Sequence, residues 1–350
     1  MAPAIADIEV IAPNLKRRLS GVTATIARLV PVQAGMIGIV ATGPGLPGHL
    51  PHLPLWRCFI LPRNRTRVWH ARRNTEMLLG LLLKYLFGRR LKLLFTSASQ
   101  RRHTGYTKWL IGRMDGVIAT SRKTAAYLEK PADVIMHGID TGGFAPAPDR
   151  AALRQRLGLP PDGVILGCYG RIRAQKGTDA FVAAAQALLP DRPNATALVM
   201  GRATEGQDTF LNELKDRVAS LGLSERILFL PEVTVDEMAN WYRVLDLYVA
   251  PQRWEGFGLT PIEAMACGVP VVATRVGAFE EIVTEETGTL VPPDDIPALT
   301  SAIALWLDDA SRRGSASAAA LARVRAAFRI EDEAKAIVGV YRRLLGGGQA

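Results

Sequence analysis

Cysteine is scarce in this chain: Cys58, Cys168 and Cys267 are the only three among 350 residues, widely separated and odd in number. That spacing offers neither a disulfide framework nor a zinc-ligand set. Long uncharged apolar runs are missing too. The best stretch to test as a membrane span, residues 77–95, contains Lys84, Arg89, Arg90 and Lys92. Those are too many charges for a helix crossing ~30 Å of hydrocarbon, so an interfacial segment stays open but a spanning one is not expected. The first residues, Met1-Ala2-Pro3-Ala4-Ile5-Ala6-Asp7, lack a basic stretch followed by an apolar run. No secretory signal is therefore expected, and a reducing cytosol is the expected compartment.

Acidic residues are what the first part of the chain has least of. Residues 1–150 hold 22 Lys+Arg against 8 Asp+Glu, a net +14, whereas the other 200 hold 21 against 25, a net −4. Between positions 57 and 102, 12 basic residues face the single acid Glu76. Asymmetry of this kind points to an anionic partner for the first half. Nucleic acid is one such partner, but the basic half lacks aromatic stacking motifs, and none is expected.

With 48% hydrophobic and 22% charged residues the composition is globular, and the length suits two medium cores. Short apolar runs alternate with helical patterns throughout, the grammar of parallel α/β architecture. Residues 8–12, 36–41, 91–95 and 117–119 read as buried strands in the first half, with helices starting at Gly21, Asn74 and Ser121. Residues 164–169, 197–200, 227–230, 247–250 and 269–273 read as strands in the second, separated by helices near 178–188, 209–221, 235–245 and 261–266; a Ser/Ala-rich helix follows at 311–327. From His137 to Pro148 the sequence turns to Gly and Pro without periodicity and reads as a linker. The expectation is two doubly wound domains, residues 1–145 and 146–327, with a C-terminal helix near 328–345 packing back on the first. Ligands in such sheets collect at the carboxyl ends of the strands, and here also between the domains.

One motif misleads. Gly43-Pro44-Gly45-Leu46-Pro47-Gly48 matches the dinucleotide pattern G-x-G-x-x-G, but Pro47, Pro51 and Pro54 oppose the helix that pattern requires. Arg63 and Arg65 also stand where an acid for a ribose hydroxyl belongs. A turn is expected there.

Two later segments carry chemistry. Glu255-Gly256-Phe257-Gly258-Leu259-Thr260-Pro261-Ile262-Glu263 follows a strand, and its glycines let the backbone approach a ligand. With Thr260 as N-cap and Pro261 as first helical residue, the helix N-terminus would seat a phosphate. Thr260-Pro261-Ile262-Glu263 also reads as a capping box, with Glu263 serving only the helix start. In Gly170-Arg171-Ile172-Arg173-Ala174-Gln175-Lys176-Gly177, Arg171 and Lys176 project from a strand-to-helix loop. Two fixed cations there can neutralise a diphosphate without metal; the alternative is solvated surface charge.

Together these segments resemble the retaining glycosyltransferases of family 4. Glu255 and Glu263 fit the Glu-x7-Glu signature, Gly170-Arg171 with Lys176-Gly177 the phosphate loop, Ser20-Gly21-Val22 the glycine turn over the donor diphosphate, and His137-Gly138-Ile139-Asp140 the family linker. The resemblance implies the GT-B fold, two Rossmann-like domains facing a cleft, and a nucleotide-sugar donor with no cofactor. It implies that Glu255 meets the donor sugar beside the amides of Gly256, Phe257 and Gly258, with Leu259 and Thr260 following. Glu263 would hold the ribose, Arg171 and Lys176 the diphosphate, and Pro231, Glu232 and Val233 the base. No Asp-x-Asp occurs, so no metal is expected. The chain departs from the family where relatives carry a His after the strand at 91–95: Thr96-Ser97-Ala98-Ser99 stands there instead. His70 and His103 can approach the acceptor, and neither is assigned as general base.

Around Trp69-His70-Ala71-Arg72-Arg73-Asn74 and Phe95 to His103 the wording is similar to that of lipopolysaccharide core mannosyltransferases of the rhizobial type. That implies GDP-mannose as donor and an anionic glycolipid acceptor, the sugar acid of the inner core on lipid A, contacted by Arg72, Arg73, Arg101, Arg102 and His103. It places the enzyme in the cytoplasm, in peripheral contact with the inner leaflet of the cytoplasmic membrane. Other family 4 donors and a nucleotide-sugar epimerase on the same fold are the competing readings.

Overall fold

Largely apolar runs of four to seven residues, with one two-residue edge strand, build two parallel six-stranded sheets in the computed structural model, which describes residues 4–17 and 21–346. The first sheet contains β1 (Val10–Pro13), β2 (Ile39–Thr42), β3 (Arg67–Ala71), β4 (Leu91–Ser97), β5 (Gly116–Ala119) and the short β6 (Asp133–Val134), in the order β2-β1-β3-β4-β5-β6. The second contains β7 (Val164–Tyr169), β8 (Ala195–Met200), β9 (Ile227–Leu230), β10 (Leu247–Ala250), β11 (Val271–Thr274) and β12 (Gly288–Val291), in the order β12-β11-β10-β7-β8-β9. Every residue of β1, β2, β3, β8, β10 and β11 is buried. Helices covering both faces of a parallel sheet produce that pattern, which is why these strands read as continuous apolar runs rather than alternating ones.

Strand order reverses between β1 and β3 in the first sheet and between β7 and β10 in the second. Ligands of doubly wound sheets bind outside the carboxyl ends of the strands at such reversals. Topology alone therefore singles out four loops: those after β1 and β3, and those after β7 and β10.

The chain divides into two compact units, one running to Gly138 and resuming at Ile330, the other Ile139–Arg329. The helix Ile330–Leu345 buries Ile330, Ala334, Ile337, Val338 and Tyr341 in the core of the first unit. It packs there on the helix Gly21–Ala34 and on β3. Glu333 fixes its start, accepting from His137 Nδ1 at 2.6 Å and from the Gly138 N–H at 2.8 Å. His137 and Gly138, read as linker from composition, thus belong to the packed first unit.

The strand reading leaves out β6, whereas the turn expected over residues 43–48 is present. β6 is exposed and two residues long, so no apolar run marks it. Residues 43–50 form bends and turns with no helix. All three cysteines are free and buried, and burial pushes the Cys58 thiol up to about 11 and those of Cys168 and Cys267 to about 12. Among the described residues no helix is long and apolar enough to cross a membrane.

Candidate active site

The loops after β7 and β10 meet at the reversal of the second sheet. Gly170 leaves β7 with φ +135°, a conformation open to glycine, and turns the chain outward. Arg171 follows, exposed, with no hydrogen bond or ion pair among the described residues. A 3₁₀ turn, Ala174–Lys176, then carries the Lys176 ammonium into contact with the Glu255 carboxylate from the other loop. The second oxygen of Glu255 accepts the Gly256 N–H at 2.9 Å. At Gly258 (φ +91°) a Cβ would stand 2.2 Å from the Phe279 ring and 3.0 Å from Glu255 Cγ, so only glycine lets this loop pass.

Arg253 binds the same two loops together. Its guanidinium makes a two-pronged contact to Asp179 at 2.8 and 2.9 Å, at the start of the helix Thr178–Leu188, and also reaches Asp294 and the Ala174 carbonyl. Its backbone N–H donates to the Gln175 carbonyl at 3.0 Å.

The helix Thr260–Ala266 begins one residue earlier than its sequence implies. Leu259, in helical conformation, is the N-cap and accepts the Glu263 N–H at 3.0 Å; no side chain caps the helix. Thr260 is already the first residue of the helix, and its hydroxyl faces buried Tyr248. Glu263 instead accepts the Tyr242 hydroxyl at 2.7 Å. Tyr242 packs at steep ring angles in a buried cluster with Tyr169 and Tyr248, ring centroids 5.2 to 5.8 Å apart, so the carboxylate is held by a rigid partner. Burial first, then the Glu263 charge, raises the Tyr242 phenol well above its ordinary range. It stays a donor.

Beside this carboxylate lies a cleft of about 230 Å³ that Gly170, Arg171, Val233 and Thr260 also line. It shares Gly201, Arg202 and Glu232 with a second cleft of about 400 Å³, walled by Ile172, Phe229, Leu230 and Pro231. Arg202, Asp208, Lys215 and Glu232 bring charge to the larger cleft as well, so polar and apolar walls alternate along both. Gly21 is the exposed first residue of a helix in the first unit; Ser20 is outside the described residues.

In the first unit, Arg72, Arg73, Arg101 and His103 line one cleft of about 350 Å³ with Lys16 and Ser97, at the carboxyl ends of β3 and β4. Arg102 is exposed and does not line it. Arg73 is largely occupied: it contacts buried Glu76 at 2.7 Å and Asn14 at 2.8 Å. Burial first, then Arg101 and Lys108, lowers the His103 pKa, and its buried Nε2 has no hydrogen-bond partner among the described residues. The excess of cations between 57 and 102 shrinks on inspection. Arg67 is buried and donates to the carbonyls of Ile5, Ile8, Pro62 and Arg65. Bonds from charged donors contribute about 1.5–3 kcal/mol each, so this arginine serves the fold. Arg63 and Arg89 likewise go to carbonyls and Lys84 to Asp115.

With this geometry in place, comparison with known proteins is decisive. Residues 149–323 match the family model described as glycosyl transferases group 1. The chain is 55% identical, over 97% of its length and 99% of the relative's, to a lipopolysaccharide core biosynthesis mannosyltransferase, LpsB, of Rhizobium meliloti. It belongs to the glycosyl transferases group 1 family. A second mannosyltransferase of that description, LpcC of Rhizobium leguminosarum bv. viciae, is 52% identical over 99% of the chain and 100% of the relative. Among solved structures, Anabaena HepE in complex with UDP matches 96% of this chain and 100% of its own with a TM-score of 0.83 at 19% identity, which shows the fold to be GT-B. The C-terminal domain of a Francisella tularensis group 1 glycosyltransferase, LpcC, is 35% identical over 55% of this chain and 100% of its own, with a TM-score of 0.53. In this glycosyltransferase the matched family segment encloses both loops of the second unit and both glutamates. Tyr242 and Arg253 were not legible as site residues: their partners lie 21 and 74 positions away. The only trace was that Arg253 stands two residues before Glu255.

Proposed function

We propose that this glycosyltransferase transfers mannose from GDP-mannose, with retention at the anomeric carbon, to the anionic inner core of lipopolysaccharide, as a family 4 enzyme. The observation that carries the reading is the Lys176–Glu255 contact at the strand reversal, with Arg171 and Glu263 on the adjoining cleft. Arg171 and Lys176 take the diphosphate and stabilise the charge that grows on it as the sugar departs. Glu263, fixed by Tyr242, holds the ribose hydroxyls, and the cleft walled by Phe229 and Pro231 takes the base, flanked by Glu232 and Val233. Glu255 and the backbone of Gly256, Phe257 and Gly258 orient the sugar. The bond between the anomeric carbon and the β-phosphate oxygen breaks, and a bond to the acceptor oxygen forms on the same face. The departing phosphate accepts the acceptor's proton, so no side-chain base is required. The cleft holding Arg72, Arg101 and His103 receives the acceptor's acidic groups.

The two relatives named as core mannosyltransferases support the sugar and the acceptor class. The test is slow hydrolysis of labelled GDP-mannose, UDP-glucose, UDP-galactose and ADP-glucose without acceptor, followed by transfer to lipid A carrying its inner-core sugar acids. Hydrolysis of GDP-mannose above the others, lost in Glu255→Ala, is the expected result. Preference for a UDP- or ADP-sugar would replace the donor assignment, and full activity in Glu255→Ala would sink the role of Glu255. Because Glu255 touches Lys176 and Gly256, Glu255→Gln serves as the variant that keeps the loop in place.

A further inference from the structure

Residues 140–148, where the chain enters the second unit, form no helix or strand, yet they are fastened along their length. The Phe144 N–H donates to the Asp140 carbonyl at 2.9 Å and the Gly142 N–H to the Asp140 carboxylate at 2.9 Å, which closes a tight turn. Arg243, the last residue of the helix Val235–Arg243, reaches back to this turn. Its Nε donates to the Ala145 carbonyl at 2.7 Å and its Nη2 to the Gly143 carbonyl at 2.8 Å, one on either side of Phe144. Its Nη1 donates to Asn240 at 2.8 Å, on the same helix, so the planar fork is itself held in place.

The product of this grip is the placement of one ring. Phe144 lies against Tyr242, centroids 6.0 Å apart and planes tilted by 56°. Tyr242 is the phenol that donates to Glu263, and it precedes Arg243 in the chain. Tyr169 and Tyr248 pack on it from the central strands β7 and β10. Of these three rings, Phe144 alone comes from an irregular segment. That segment also reaches the helix bearing Glu263: a Cβ at Gly268, two residues past the helix end, would lie 3.6 Å from Pro146 Cγ. Residues 140–148 therefore touch both the helix that supplies the phenol and the helix that supplies the carboxylate.

We infer that Phe144 and Arg243 are positioning residues for the nucleotide: Arg243 clamps the linker, Phe144 braces Tyr242, and Tyr242 aims Glu263 at the ribose hydroxyls. This rests on the reading of Glu263 as the ribose ligand and adds that the segment joining the units is part of the donor grip. A carboxylate that accepts two hydroxyls must meet both within a few tenths of an ångström, because hydrogen bonds weaken steeply away from their preferred geometry. A brace on its partner therefore shows in the affinity for a ligand that carries those hydroxyls. A residue that merely stabilised the fold would affect ligands with and without them alike.

The experiment is calorimetric binding of GDP and of 2′,3′-dideoxy-GDP to the full chain, repeated with UDP and its dideoxy form so that the base assignment does not enter. The wild type prefers the ribose form about tenfold or more, and Glu263→Gln loses most of that preference. Phe144→Ala and Arg243→Gln each lower the preference about three- to tenfold while binding the dideoxy form as the wild type does, which shows that they fold. Phe144→Leu and Arg243→Lys, which keep some of each contact, lose less. In a Glu263→Gln chain, Phe144→Ala changes the preference no further, as expected of residues acting through one another. Should the truncated variants unfold, the two conservative ones carry the test, and an unaltered preference in both overturns the inference. Wild-type preference in folded Phe144→Ala and Arg243→Gln, with Glu263→Gln impaired, overturns it while leaving the ribose reading intact. Equal loss for ribose and dideoxy ligands reduces both residues to fold stabilisers and also overturns it. A wild type without preference, or Glu263→Gln with full preference, removes the ribose reading and the inference with it.

Discussion

His70 shows how a residue that suits catalysis on paper can be committed to the fold. It lies at the end of a buried strand, near the basic cleft, where a general base would be sought. Both ring nitrogens are taken, Nδ1 by the Tyr341 hydroxyl and Nε2 by the Thr96 hydroxyl, each at 2.6 Å. Burial first, then Arg72, holds its pKa well below the ordinary value, so the folded chain keeps it neutral. In the unfolded chain the ring takes a proton below about pH 6.5. Between that pH and the lower folded pKa the unfolded state binds more protons, so stability falls as the solution is acidified. The limiting slope for one such group is about 1.4 kcal/mol per pH unit. Urea titrations from pH 7.5 to 5.5 should show this loss in the first unit, and a His70→Gln chain should lose less over the same range. Equal slopes would remove His70 as the cause. The four charged residues of the donor loops were legible because glycines and a strand end mark each loop; the occupied state of His70 and Arg67 was not, since every partner is contributed by tertiary packing.

Arg253 belongs to the scale of elements, because it acts on loops rather than on a ligand. The doubly wound architecture of the second unit was implicit in the alternation of apolar runs and helices. The order of strands was not, and only that order brings two loops 79 residues apart into contact at Lys176 and Glu255. Arg253 then fixes their spacing through Asp179, Asp294 and Ala174. The group is a little over a quarter exposed, so by analogy with exposed pairs its ion pairs contribute only about 0.2–1 kcal/mol to stability. Its effect on chemistry is larger, because misplacing a reacting group by an ångström can cost about 10²-fold in rate. Arg253→Ala should therefore melt within a few degrees of the parent yet lose about 10²-fold in kcat/KM. Arg253→Lys, which keeps the charge but not the two-pronged contact, should recover only part of it. A variant with parental kcat/KM would show that the loops hold their positions unaided.

At the scale of the whole molecule the two units carry opposite net charge, and the sequence already displayed that division: +14 in the first 150 residues and −4 in the rest. The total overstated the free positive charge, because Arg63, Arg67, Arg73, Arg89 and Lys84 are spent on carbonyls and carboxylates inside the first unit. Arg101 and Arg102 are not. Both are exposed and make no hydrogen bond or ion pair among the described residues, but only Arg101 lines the cleft with Arg72 and His103. A charge-assisted bond contributes about 1.5–3 kcal/mol, tenfold or more in affinity. If the first unit binds an anionic acceptor and the second the donor, Arg101→Gln should lower transfer about tenfold while donor hydrolysis without acceptor stays at the parental rate. Arg102→Gln should fall much less, since its charge stands outside the cleft and is screened by solvent. The measurement is both rates for both variants at saturating donor across a range of acceptor concentrations, with the loss in Arg101→Gln appearing as a raised acceptor KM. Equal loss of hydrolysis and transfer would place Arg101 in the donor's path instead, and unchanged transfer in both variants would leave the basic cleft without a role in acceptor binding.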